Sequence, residues 1–132
     1  MIIILFLIWL LYSILEGIRE ALSDAGNFDC DHKHDLYTVQ RFLMASSLVM
    51  VLYFFSNLWL PCLFLSLSIV LGFSFLHNGF YFISRNFFAK QKLYPNGFKS
   101  KGSTAVFELG FILRTVLLII SVGLILISFF LL

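Results

Sequence analysis

The side chains best suited to chemistry in this sequence are Glu16 and Glu20 of "EGIRE", His77, and the pair His32 and His34 in "CDHKHD", residues 30–35. Two carboxylates four residues apart on a helix lie on one face and can reach one ion. Imidazole together with carboxylate is a donor set that suits zinc, iron or manganese. Glu16, Glu20 and His77 are therefore candidate acid–base groups, and with His32 or His34 they are candidate ligands for a divalent metal. The pattern matches neither HExxH nor a paired CxxC. His32 and His34 are spaced for a loop, not for one helix face. Asp35 suits the N-cap of the helix that follows, and Asp29 and Asp31 favour its positive end.

A structural reading competes for the same residues. Charges inside a membrane usually face the bundle interior and pair with one another. Glu16, Glu20 and Glu108 roughly balance Arg19, Arg41, Arg85 and Arg114, with Tyr81 as a hydrogen-bonding neighbour. Arg41 is expected to pair with Glu16 or Glu20. Arg85 and Arg114, nearer the surface, are long enough to snorkel to the headgroups.

These residues need elements to position them, and composition says what kind. Hydrophobic residues make up 61% of the 132 and charged ones 12%, against roughly 45–50% and about 25% in a soluble domain. The chain is read as an integral membrane protein. Four apolar runs are visible, at about 2–22, 36–58, 61–88 and 104–132, each with the roughly 20 residues a helix needs to cross a bilayer. Lipid offers backbone groups no other partner, so the spans are helical. The expected fold is all-α, a four-helix transmembrane bundle forming one domain over 1–132. The first run lacks a basic leader and is followed by Glu16, Arg19 and Glu20 instead of a small-residue cleavage site, so it reads as a retained span and not as a signal peptide. Pro61 suits the first turn of the third helix, and "YPNG", residues 94–97, marks a turn in the longest loop.

Four spans put every Lys, Arg, Asp and Glu at one side and none at the other. Short loops rich in Lys and Arg stay cytoplasmic, so the expected topology has the charged loops inside and both termini outside. Cys30 and Cys62 then lie a bilayer apart, too far for a disulfide. Counting at about 1.5 Å per residue from the outer boundary, Glu16 lies about 22 Å in, Arg41 and His77 about 24 Å, and Arg114 about 27 Å. Four helices thus bring ionisable groups to one layer.

The loop at 89–104 carries Lys90, Lys92, Lys99 and Lys101 with Leu93, Tyr94 and Phe98 among them. Each Lys near an anionic leaflet is worth about 1 kcal/mol, so the expected partners are the lipid bilayer and its anionic headgroups. The net charge of +2 does not point to nucleic acid. Three function classes follow. The first is a small membrane protein acting by association with lipid or with itself as a homo-oligomer. The second is a metal-assisted enzyme acting on a lipid headgroup. The third is a proton or ion conductor, or a holin-like pore. Against a pore in one copy stands the outer half, whose polar side chains are read as Ser46, Ser47, Ser66 and Ser68.

Overall fold

Runs of Leu, Ile, Val and Phe with no proline beyond a first turn leave the helix as the only way to satisfy the backbone in lipid, and helices are what these runs form. The computed structural model describes residues 1–26, 33–101 and 109–132, excepting the side chains of 33–36. It contains α1 (Ile2–Ala25), α2 (Lys33–Ser56), α3 (Trp59–Ala89) and α4 (Phe111–Phe130), with a 3-10 turn at Gly97–Lys99. All four helices are long and apolar enough to span a membrane, and no strand occurs among the described residues.

The boundaries differ from expectation in ways the backbone explains. α1 continues three residues past Leu22, because Ser23, Asp24 and Ala25 keep a helical backbone until Gly26. α3 begins two residues before Pro61, which takes a first-turn position where a missing N–H is harmless. The fourth span was expected from about Thr104. Residues 102–108 lie outside the described set, but Leu109 and Gly110 are not helical. Gly110 is extended (φ −62°, ψ 157°) and serves as the N-cap, so α4 starts at Phe111.

The helices alternate in direction. Ser121 meets Ser68 and Ser128 meets Pro61, so α3 and α4 are antiparallel. Trp9 meets Ile69 and Tyr81 meets Asp24, so α1 and α3 run the same way. Arg41 lies at His77 and Val49 at Cys62, so α2 opposes α3. One end of the bundle therefore carries no charged side chain and the other holds the charges. The apolar end closes tightly at residues 56–58, where Asn57 adopts a left-handed φ of 54°, a conformation Asn tolerates.

α3 is the central helix. α1 and α4 pack broadly on it, while α2 packs on it narrowly and barely meets α1. Only 11% of the α2 span is buried, against 39% of α1. The core at the apolar end comprises Phe6, Trp9, Leu52, Leu65, Ile69 and Ile125. Lipid is as apolar as these side chains, so close packing and hydrogen bonds must hold the helices together. Ser68 and Ser121 exchange hydroxyl bonds to each other's carbonyls at 3.0 and 2.8 Å, and the Trp9 indole donates to the Ile69 carbonyl at 3.0 Å. Ser13, Ser121 and Ser128 are fully buried, so the polar residues of this half extend beyond the four serines expected. Their hydroxyls are bonded to carbonyls and act as interhelical or intrahelical ties.

Candidate functional site

Gly17 sets the site. A Cβ there would collide with the backbone carbonyl of His77, so only glycine lets α1 approach α3 this closely. That approach carries Glu16 and Glu20, on either side of Gly17, against His77. Both carboxylates are buried, Glu16 to 3% exposure and Glu20 to 7%, and His77 to 6%.

Arg41 of α2 reaches into this layer. Its Nε donates to Glu16 Oε1 at 2.8 Å, and its Nη2 donates to Glu20 Oε2 at 3.1 Å. His77 Nε2 lies 2.8 Å from the same Glu20 oxygen and 3.2 Å from Arg41 Nη2. The His77 Nδ1 faces Asn78 Oδ1 at 3.1 Å. Each ring nitrogen of His77 thus faces a polar group, and Nε2, the Glu20 carboxylate and Arg41 Nη2 meet at one point. Phe73 backs the layer, stacked on His77 at 4.6 Å and under Arg41 at 4.9 Å.

Glu16 Oε2 and the Tyr12 hydroxyl, one turn apart on α1, are buried without a well-aligned hydrogen bond to any described residue, and they interact with each other. Arg19 closes the layer toward the surface. It donates to Gln40 at 3.0 Å, stacks over Tyr37 at 4.5 Å and stands 3.9 Å from Glu16. A cleft of about 670 Å3 opens beyond it between Leu22, Ser23, Tyr37 and Phe88.

The other candidate residues are dispersed. Tyr81 donates to Asp24 at 2.7 Å, on the same α1–α3 seam but nearer the surface. Arg85 is half-buried and forms no ion pair among the described residues. Arg114 does not snorkel. It is completely buried, and its Nη2 donates to the carbonyls of Phe98 and Ser100 at 3.3 and 3.0 Å. Phe82 faces its guanidinium at 5.5 Å. Lys90, Lys92, Lys99 and Lys101 are all exposed. Cys62 is buried and unpaired at the apolar end. Cys30, His32 and Glu108 lie outside the described residues. His34 falls in the first turn of α2, with its side chain outside them.

A divalent metal does not fit the intramembrane set as it stands. Arg41 occupies the position between the two carboxylates where an ion would bind, and His77 Nε2 is already committed to Glu20. Among the described residues no three His, Cys, Asp or Glu side chains are grouped to hold an ion.

Several participants were not singled out from sequence. Gly17 was one, although a glycine framed by the two glutamates was the visible signal. Asn86 was another: its side-chain amide clamps both backbone groups of Tyr94, at 2.9 and 2.8 Å, and so folds the loop back onto α3. Phe98, tucked against Gly79 and the rings of Phe75 and Phe80, had been assigned to the headgroup layer.

Four apolar helices in an all-α bundle define the class: the chain fits a small polytopic membrane protein. Comparison with known proteins finds no matching family model, curated protein or solved structure.

Proposed function

We propose that the protein acts by association within the membrane, with α2 as its presenting element, and that the Glu16–Glu20–Arg41–His77 cluster is the pin that holds α2 in register. The observation that carries this is the mismatch in α2. Its packing on the bundle is narrow, yet Arg41 ties it to three polar groups on two other helices. A helix with so little interior surface gains a fixed position from a buried charge network, the best-attested use of such groups. The rest of its surface is apolar and open: Phe42, Phe54 and Phe55 are 70–74% exposed. That face meets lipid or the same face of a second copy. The charged end is placed in the cytoplasm, following the distribution of Lys and Arg.

Two other readings have less support. Arg41 already neutralises the carboxylates that a metal-assisted enzyme would need. Against a pore in one copy, the buried Ser68, Ser121 and Ser128 of the apolar half bond to carbonyls beside a core of Leu, Ile and Phe.

The test is crosslinking in native membranes. Single cysteines replacing Phe42 or Phe54, in a Cys62→Ala background, should form symmetric disulfide dimers across a two-fold interface. Cysteines on the α4 face, replacing Ile119, should not. Equal crosslinking at both faces, or none at α2, removes self-association and leaves lipid as the sole partner of that face. Labelling of Cys30 in intact cells by an impermeant reagent would reverse the orientation.

A further inference from the structure

The corner where the 3-10 turn meets the head of α4 plays no part in the Arg41 cluster, and its two lysines form no ion pair among the described residues; Lys99 lies over the Phe111 ring at 5.5 Å. A groove of about 510 Å3 opens there, walled by Lys99 and Lys101 and floored by Phe111, Ile112, Leu113 and Val116. α4 begins at this point with no side-chain cap and no acid in its first turn. The positive end of its dipole lies at the groove.

Arg114 fixes the wall of this groove from behind. It is fully buried on the other face of α4 and does not line the groove. Its Nη2 donates to the carbonyls of Phe98 and Ser100, which flank Lys99, so the 97–100 turn is held beside the head of α4.

Sequence deepens the imbalance. From Arg85 to Leu132 the chain has six basic residues (Arg85, Lys90, Lys92, Lys99, Lys101, Arg114) and one acid, Glu108. Even with Glu108 paired to one of them, the corner stays positive. The floor has the opposite character: Ile112 is 80% exposed, Leu113 48% and Val116 44%, on the first turns of a membrane-spanning helix. A cationic rim over an apolar, lipid-facing floor complements an amphiphile with an anionic head.

We propose that this groove binds one anionic phospholipid. Its phosphate lies between Lys99 and Lys101 at the head of α4, and one acyl chain runs along Ile112, Leu113 and Val116. Lys90 and Lys92 do not line the groove and contribute only diffuse attraction. The inference rests on the reading of the chain as a membrane protein that works by association, and it names one partner.

The test is native mass spectrometry of the full-length protein in mild detergent, titrated with phosphatidylglycerol or phosphatidylcholine. The wild type should retain phosphatidylglycerol in preference, at a stoichiometry of one. The double variant Lys99→Gln, Lys101→Gln should lower that affinity by about 25-fold, at roughly five-fold per lysine, and leave phosphatidylcholine unchanged. The double variant Lys90→Gln, Lys92→Gln should stay near wild type. Equal losses in the two double variants would replace the site with diffuse electrostatics, and no preference for phosphatidylglycerol would remove it. Competition by inorganic phosphate at the same concentration would reassign it to a free anion. The α2 crosslinking test touches none of these residues, so the two readings fail separately.

Discussion

Arg41 and Arg114 are two arginines at the same end of one bundle, and they are satisfied in opposite ways. Arg41 comes from the loosely packed α2, retains some exposure, and donates to two carboxylates held by α1. Arg114 comes from α4, has no exposure and, among the described residues, donates to loop carbonyls. The first joins helices through carboxylates; the second joins a helix to the 97–100 turn through backbone oxygens. The difference teaches that burial alone does not tell what a membrane arginine does. Its acceptors do. An arginine bound to carboxylates fixes helix against helix, whereas one bound to carbonyls fixes a loop.

Removing each arginine gives the largest effects and breaks the comparison most directly. Arg41→Ala leaves Glu16 and Glu20 buried without their main cation, at a cost of about 3–5 kcal/mol in detergent melting. Combined with Glu16→Gln, the loss should be less than additive, because the second change removes the stranded charge. Arg114→Met deletes a buried charge and leaves two carbonyls short of a donor, terms that oppose each other. Its stability should stay within about 2 kcal/mol of wild type. Equal losses for the two would show that Arg114 has a counter-ion of its own.

A smaller effect separates backbone from side-chain contact. At Gly17 an added methyl meets the His77 carbonyl, part of a rigid helix; at Gly79 it meets the tip of the Phe98 ring. Gly17→Ala should push α1 off α3 and cost about 1–3 kcal/mol, with loss of the Arg41 bonds as a secondary result. Gly79→Ala should cost less, since the ring can swing aside. A larger loss at Gly79, measured by the same melting, would mean that the 97–100 loop anchors the bundle more than the α1–α3 seam does.

The legible parts of this molecule are those set by local pattern. Four spans could be read because each run of about 20 apolar residues has only one way to satisfy its backbone in lipid. The layer holding Glu16, Glu20, Arg41 and His77 could be read because helical rise converts sequence number into depth. Rotation about each helix axis and lateral order in the bundle could not. Depth places Arg114 with the others, but only packing sends it to the Phe98 carbonyl and away from Glu16. The peripheral position of α2 was hidden for the same reason: its span is the least apolar of the four, but hydropathy sets which segments enter lipid and not their order in the bundle, and in lipid an exposed Phe54 is no anomaly. Gly17 showed the local signal of a close approach without saying which helix approaches.

The contact between His77 and Glu20 offers a finer probe of how the paired arginine is held. Glu20→Gln keeps the shape of the side chain but removes the carboxylate that Arg41 and His77 share. Stability should fall by about 1–2 kcal/mol in the same melting. No loss would show that Glu16 alone holds Arg41.

The smallest effect belongs to the apolar half, where neutral hydroxyls do the tying. Ser68 and Ser121 bond to each other's carbonyls across α3 and α4, and a methyl at Gly72 would press on the Ser121 hydroxyl. Interhelical bonds of this kind in membranes average about 0.6 kcal/mol, because a separated helix finds its hydroxyls other partners. Ser121→Ala should cost about that much. Ser47→Ala, which removes only a bond to Leu43 within α2, should be neutral. The ratio to Arg41→Ala is the informative quantity: several-fold at least, if charge pairing fixes the register and hydroxyl bonds merely trim it. Should Ser121→Ala destabilise as much as Arg41→Ala, the α3–α4 seam would be the principal anchor of the bundle, and the ion cluster would be free to serve something other than register.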